Sequence, residues 1–478
     1  MDLSKNFAYP KLMKYFEEIS AIPRATYNEK GIADYLENFA RQRGLYCYRD
    51  GYNNVLIKKD ATKGAENREP LLLQGHTDMV CEKCVGVEHD FSRDGLKLYE
   101  EDGWIKARGT TLGADNGVAV AIMLCVLDGG VDENPVIECL FTASEEVGLD
   151  GASNFDYSKI SAKRMINMDS ADESLVIGGC AGGQRSCLEL AVNSNTVSAD
   201  IAKISIKGLF GGHSGEDIDK GRANANKLMG RVLYELIGDG VELVSINGGS
   251  KDNAIPRECE AVVTVADCDT LALNVKRIYG EICEGLSEDD KNFELTLDFE
   301  GKQAVAVIDS EITKKIVFFM HTVDNGIFEM NHDVKGIVEW SRNLGVVKCD
   351  DRSAEFIFAS RSSFESRIDA SAKELDDHAR MLGAQVRHYN RYPGWIFAPE
   401  SAIREAYVES FKALFGAYPE VTVIHAGLEC GIISKSLEGM DIISCGPIVL
   451  DLHSPKERMN KASFERFYSI IKRVIEKY

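Results

Sequence analysis

Residues 70–78 read PLLLQGHTD. Pro70–Gln74 is a short apolar run of β-type residues, and it delivers His76-Thr77-Asp78 at its far end. The pattern repeats on both sides. Tyr9–Ser20 and Lys30–Arg43 carry apolar residues at helical spacing, Asn54–Lys58 predicts a second strand, and Val118–Leu127 predicts a buried helix. Val136–Thr142 and Met165–Met168 are further strand candidates. Strands alternating with helices predict βαβ units, hence an α/β fold with a mostly parallel sheet and helices on both faces. In such sheets ligands sit beyond the carboxyl ends of the strands, which is where His76 falls.

The texture changes at Gly178–Gly183 (GGCAGG), a glycine cluster expected to act as a hinge or linker. From Leu188 to about Val386 the alternation is that of half-buried antiparallel strands. Ile201–Lys207, Glu258–Ala266, Phe293–Phe299, Gly345–Asp350 and Glu355–Ser360 fit it, interleaved with helices such as Ala223–Gly238. Two stretches here each read strand, strand, helix, which predicts a two-lobed α+β domain. After Tyr392-Pro393-Gly394 the first texture returns. Helices are expected at Ser401–Phe415 and Lys461–Lys477, strands at Val421–Ile424 and Asp441–Ser444. The economical organisation is one α/β domain made of residues 1–186 and 392–478, interrupted by an inserted domain over 187–391.

Composition excludes several classes of function. With 478 residues, 44% apolar and 27% charged, the chain has the make-up of a globular protein. Its 55 basic and 76 acidic residues leave a net charge of −21, which argues against nucleic acid and anionic membrane as partners. The longest apolar run, Gly117–Leu127, falls short of the roughly 20 residues a spanning helix needs. Met1–Ser20 scatters Asp2, Lys5, Lys11, Lys14, Glu17 and Glu18 among its apolar residues and so lacks a signal-peptide core. A cytoplasmic protein with thirteen reduced cysteines is the expectation. Cys81-Glu82-Lys83-Cys84 lacks the second ligand pair of a zinc ribbon and reads as coincidence. Phosphate-loop, dinucleotide and nucleophile-elbow motifs are missing.

Five acidic or histidine clusters lie just beyond predicted strands of the α/β parts. They are His76-Thr77-Asp78, Asp115 within Gly113-Ala114-Asp115-Asn116-Gly117, Glu145-Glu146, Asp169 and His453. Each alone has an ordinary explanation as a cap, a turn or a solvated helix start. Together, at one sheet edge, they gather two histidines and five carboxylates, and so many acids repel unless a cation joins them. Nitrogen and carboxylate ligands without thiolate suit zinc, manganese or cobalt.

These motifs, with Ser144-Glu145-Glu146, Asn167-Met168-Asp169-Ser170 and His453-Ser454-Pro455, resemble the co-catalytic dizinc peptidases and deacylases of the M20 type. The closer resemblance is to the aminoacyl-histidine dipeptidase branch, also called beta-alanyl-histidine or cytosol nonspecific dipeptidases. It extends to Gly212-His213-Ser214-Gly215, Arg222-Ala223-Asn224-Ala225-Asn226, Asn253-Ala254-Ile255-Pro256-Arg257, Ser360-Arg361-Ser362-Ser363 and 425–431 (HAGLECG). The match runs in order along nearly the whole chain.

The resemblance implies hydrolysis of unblocked dipeptides, Xaa-His types included, on two divalent cations, zinc first, with cobalt or manganese as alternatives. By the same resemblance Asp115 would bridge the two ions, His76 and Asp169 would complete one, and Glu146 and His453 the other. Glu145 would be the general base. Asp78 would hold the far side of the His76 ring. His213 would donate to the oxyanion. Asn253 and Arg361 would hold the substrate carboxylate, and Gly427 would let backbone approach it. An insert carrying such residues would act as a lid and pair two chains into a homodimer, with His213 acting in cis or in trans. Structural readings compete: Asp78 as a turn cap, His213 and Asn253 as turn residues, Arg361 in an internal salt bridge. The remaining histidines, His425 among them, are expected to be ordinary surface or core. The rival functions are a related dizinc amide hydrolase (N-acyl amino acid deacylase or tripeptidase) and a silent binding scaffold.

Overall fold

The computed structural model describes residues 3–477, which form two compact units. The first holds the chain up to Cys180, then Trp395–Val423 and the residues from Leu428 onward. The second holds Ala181–Gly394 and Ile424–Gly427.

Unit 1 is an α/β fold built on an eight-stranded sheet. Its strand order is Tyr46–Arg49, Val55–Lys59, Ile137–Thr142, Leu71–His76, Arg164–Asn167, Asp441–Ser444, Leu175–Cys180 and Glu420–Ile424. The parallel character sits at the centre, where Ile137–Thr142, Leu71–His76, Arg164–Asn167 and Asp441–Ser444 run alongside one another. Val55–Lys59 and Leu175–Cys180 join antiparallel on the two sides. Central strands buried on both faces read as continuous apolar runs, as Leu71-Leu72-Leu73 does.

Alternate side chains of this sheet serve opposite faces. Val55, Ile57, Leu71, Leu73, Ile137, Cys139, Phe141, Ile166 and Ile443 share one core with helices Pro10–Ser20, Lys30–Arg43, Ala114–Leu127, Ala402–Phe415 and Lys461–Lys477. On the other face helix Glu429–Ser436 packs on strands Leu175–Cys180 and Asp441–Ser444. Helix Ala114–Leu127 is apolar nearly all round and buried nearly all round, touching helices Pro10–Ser20 and Lys461–Lys477 and strand Leu71–His76. That close seat is possible because position 75 has no side chain. A Cβ on Gly75 would lie 2.3 Å from Ala119 Cβ and 2.3 Å from Asn116 Oδ1. Gly75→Ala is therefore expected to cost about 1–3 kcal/mol by overpacking. The loss should be read as a lower denaturant midpoint at unchanged slope.

Unit 2 is one continuous antiparallel sheet. Its path is Glu294–Ile308, Ser194–Lys207, Cys259–Thr264, Leu243–Gly248, Val338–Cys349, Ser353–Ser362, Gly182–Ala191 and Gln385–Tyr392, with Gly326–Met330 paired to Val338–Cys349. The two strand-strand-helix stretches are thus joined edge to edge. The join is short: Ile246, Asn247 and Gly248 pair with Cys349, Lys348 and Val347. Helices Ala225–Leu236, Cys268–Cys283, Ser310–Thr322 and Glu365–Leu382 contribute to its core. The glycine cluster 178–183 is not a free linker, because strands Leu175–Cys180 and Gly182–Ala191 claim most of it. Among the described residues no helix is long and apolar enough to cross a membrane.

Candidate functional site

Three neighbouring parallel strands bring the first side chains together. His76 is the last residue of Leu71–His76, Glu145-Glu146 follow Ile137–Thr142, and Asp169 follows Arg164–Asn167. The register pairs His76 with Thr142 and Gln74 with Asn167, so the first two strands end level and the third stops two residues earlier. Asp115 stands at the start of helix Ala114–Leu127, where Asp115 and Asn116 have non-helical backbone and share a cis peptide bond. His453, half exposed, comes from the loop after Val449–Leu450.

Asp115 is the centre of the arrangement. Its Oδ1 lies 3.0 Å from His76 Nε2, and its Oδ2 lies 3.2 Å from His453 Nε2. On the first side Asp169 Oδ1 is 3.6 Å from His76 Nε2, and on the second Glu146 Oε2 is 3.3 Å from His453 Nε2. Ligand atoms of His76, Asp115 and Glu146 all lie within 4.8 Å of one another. One carboxylate therefore faces two imidazoles through different oxygens, and each imidazole has a second carboxylate beside it.

The electrostatics fit a cation. Burial and the charge of nearby Asp115 and Glu146 push the Asp169 carboxyl up to about 6 against the pull of His76. Burial, with Asp169, Glu429 and Glu146 nearby, likewise drives the Glu145 carboxyl well above the usual range. Hydrogen bonds to Asp115 and Glu146 pull the His453 imidazole up to about 10. Protons thus gather where the acids converge, and a positive ion would relieve the same repulsion. Glu146 Oε1 is buried without a hydrogen-bond partner. Two imidazoles and several carboxylates, with no thiolate, form a donor set suited to zinc, cobalt or manganese.

Asp78 does more than cap a turn. Its Oδ1 lies 3.4 Å from His76 Nδ1 and accepts the Glu145 amide at 3.0 Å, while its Oδ2 accepts from the Glu146 amide at 3.3 Å and from Thr26 Oγ1 at 2.9 Å. One buried carboxylate thus orients an imidazole and both glutamates. Glu429, buried in the 425–431 stretch, accepts from Gln74 Nε2 at 2.6 Å and Thr142 Oγ1 at 2.8 Å. No sequence signal pointed to Arg24 or Glu457, which hold the surrounding loops, although Glu457 follows His453 by one helical turn's worth of chain.

The other expected residues lie in unit 2. His213 pairs with Ala254 in a two-residue ladder, and the Asn253 carbonyl accepts the Ser214 amide at 2.9 Å; the Asn253 side chain is exposed. Arg361 Nη1 donates to the Tyr392 hydroxyl at 2.9 Å, and its Nη2 lies 3.4 Å from His213 Nε2. Among the described residues no carboxylate pairs with Arg361, whose Nε is buried without a partner, so the salt-bridge reading does not hold. Gly427 packs on the Tyr392 ring, where a Cβ would come within 2.7 Å of Cε2.

Burial and the Arg361 charge hold His213 down at about 4, so it is neutral near pH 7. The Glu216 amide donates to His213 Nδ1 at 3.1 Å, which leaves the proton on Nε2. Two donors, His213 Nε2–H and Arg361, then face each other, an arrangement that calls for an anionic acceptor. His425, expected at the surface or in the core, takes the second place. It is buried in this cluster, its Nε2 is 2.7 Å from Ser341 Oγ, and burial with the Arg361 charge holds it near 3. The HAGLECG stretch was the signal for it. All thirteen cysteines are free, and burial pushes the half-buried Cys81 thiol up to about 11, so Cys81 is not a thiolate poised for reaction.

Comparison with known proteins agrees along the whole chain. The model of peptidase family M20/M25/M40 matches residues 72–477. The cytosol non-specific dipeptidase of Escherichia coli (strain K12) is 37% identical over 473 residues, covering 97% of each chain. The crystal structure of aminoacylhistidine dipeptidase from Vibrio alginolyticus superposes with a TM-score of 0.92 at 32% identity, covering 99% of this chain and 98% of that one. Aminopeptidase PepT from Bacillus cereus shares the fold, with a TM-score of 0.56 at 16% identity over 98% of both chains.

Proposed function

The chain belongs to peptidase family M20/M25/M40, and from that membership we propose that it is a metal-dependent dipeptidase acting on unblocked dipeptides, Xaa-His types such as beta-alanyl-histidine among them. The observation that carries the reading is Asp115 facing His76 through one oxygen and His453 through the other. Two ions, zinc in each place, are the proposed complement, with Asp115 shared, His76 and Asp169 on one side and Glu146 and His453 on the other. Divalent cations held there supply Lewis acidity and lower the pKa of a nearby water.

The chain's own residues do the rest. Glu145 takes the proton of the attacking water on its carboxylate and delivers it to the leaving amine nitrogen. Asp78 keeps His76 aligned and fixes the backbone of Glu145 and Glu146. His213, neutral with its proton on Nε2, donates to the developing oxyanion. Arg361 pairs with the substrate's C-terminal carboxylate through its planar fork, Asn253 adds a polar contact, and Gly427 leaves room for the substrate backbone. The residues of 187–391 acting as a mobile lid, a homodimer and a cytoplasmic location belong to the same proposal.

Two measurements test it. Dialysis against a chelator should abolish dipeptide hydrolysis and lower Tm, and added Zn2+ should restore both. A ligand at a hundred times its Kd stabilises by about 2.7 kcal/mol. A panel of dipeptides, tripeptides and N-acetyl amino acids should show dipeptides turned over fastest. Faster cleavage of acetylated substrates or tripeptides would move the assignment to a sibling amide hydrolase. No turnover by metal-loaded protein would leave a binding scaffold.

A further inference from the structure

Two buried charged side chains of unit 1 take no part in the proposed chemistry. Glu457 is 3% exposed and Arg24 2% exposed. Glu457 Oε2 accepts the amides of Leu112 (2.7 Å) and Gly113 (2.9 Å), and its Oε1 accepts those of Ala114 (2.8 Å) and Asp115 (3.3 Å). One carboxylate thus takes up four consecutive N–H groups. Arg24 holds the same turn by its other polar side. Its Nη2 donates to the Gly113 carbonyl at 2.5 Å, and its Nη1 donates to the carbonyls of Thr77 (3.0 Å) and Asp78 (3.2 Å). Gly113 is left-handed, at φ 64°, and a Cβ there would fall 2.5 Å from Arg24 Nη2. The turn is therefore held through its amide and its carbonyl at once, with no space for a side chain.

These bonds join three separate loops. Arg24 ties the turn before Asp115 to the residues directly after His76. Glu457 ties that turn to the loop carrying His453, four positions earlier. A helix cap alone would need only the free amides of the first turn. The Glu457 bonds begin two residues before helix Ala114–Leu127, and the carboxylate is supplied from the loop of another expected ligand. We propose that Arg24 and Glu457 are positioning residues that set the separation of His76, Asp115 and His453, so that the protein assembles its cation site before a cation arrives. Held in this way, the ligands lose less freedom on binding, which raises affinity without any direct contact.

This inference rests on the reading of the site as a cation centre, and the experiment separates the two. Zn2+ affinity of the metal-free full-length protein is measured by competition with a chromophoric chelator, well below the unfolding temperature. The Co2+ absorption spectrum reports ligand geometry. The proteins compared are wild type, Glu457→Gln and a core control, Leu36→Ala. Gln keeps the shape but turns one acceptor into a donor facing backbone N–H groups. Glu457→Gln should weaken Zn2+ binding about 10–100-fold and alter the Co2+ spectrum. Leu36→Ala should lower Tm and leave Zn2+ affinity as it was. If Glu457→Gln is recovered unfolded, Arg24→Lys carries the same expectation, since one ammonium keeps the charge but cannot span the three carbonyls. Wild-type Zn2+ affinity in the folded variant overturns the inference, as does an equal loss in Leu36→Ala. Wild-type protein that binds no Zn2+ overturns the functional reading instead.

Discussion

Replacing Glu145 by Gln should lower kcat by about 10³–10⁴-fold, the upper part of the range for general acid–base groups, with metal content and substrate KM nearly unchanged. The side chains are almost the same size, and the backbone amide of residue 145 would still donate to Asp78. What disappears is the only atom pair in the reading that takes a proton from water. The neighbouring Glu146 cannot replace it, because its Oε2 is engaged at 3.3 Å with His453. Steady-state kinetics on a dipeptide, together with elemental analysis, check this directly. Activity within tenfold of wild type would remove Glu145 from the chemistry. A matching loss of bound metal would make it a ligand.

The second large effect falls on Asp115. Asp115→Ala should leave His76 and His453 without their shared partner, and both metal content and activity should collapse. A fall of more than about 1,000-fold in kcat/KM, roughly 4 kcal/mol, is expected even with excess Zn2+. Asp115→Asn gives a sharper result. An amide offers one acceptor oxygen and one donor nitrogen, so it can serve only one side of the arrangement. Bound metal should fall from two ions per chain towards one, measured by elemental analysis after gel filtration. Retention of two ions by the Asn variant, or a single ion in wild type, would dismiss the shared-carboxylate reading.

Part of the site lay open in the sequence because His76, Glu145, Glu146 and Asp169 follow strand ends. Pro70–Gln74 and Val136–Thr142 are apolar runs short enough to be strands, and residues just beyond such runs fall at one edge whatever the details. Helix Lys30–Arg43 and strand Asp441–Ser444 have the bounds their periodicity predicts. Other features carry no local signature. Arg24 and Glu457 are single charges in loops, and their meaning lies in backbone groups tens to hundreds of residues away. His425 looked ordinary because its neighbours, Ser341 and Arg361, come from strands far along the chain. The edge-to-edge join of Leu243–Gly248 with Val338–Cys349 was equally invisible, since alternation fixes which face a residue takes and not which strand it meets.

Strand Asp441–Ser444 lies between Arg164–Asn167 and Leu175–Cys180 in the sheet, although more than 250 residues of chain separate it from either. During synthesis those two strands leave the ribosome long before the one that belongs between them. At about 5–20 residues per second the slot stays open for tens of seconds, with the backbone edge of Arg164–Asn167 unsatisfied. Ala181–Gly394 emerges as one uninterrupted stretch in that interval and can close nearly all of its own sheet. The newborn polypeptide therefore has a finished middle and an unfinished beginning, and it is the beginning whose open edge stays free for wrong pairing until translation ends.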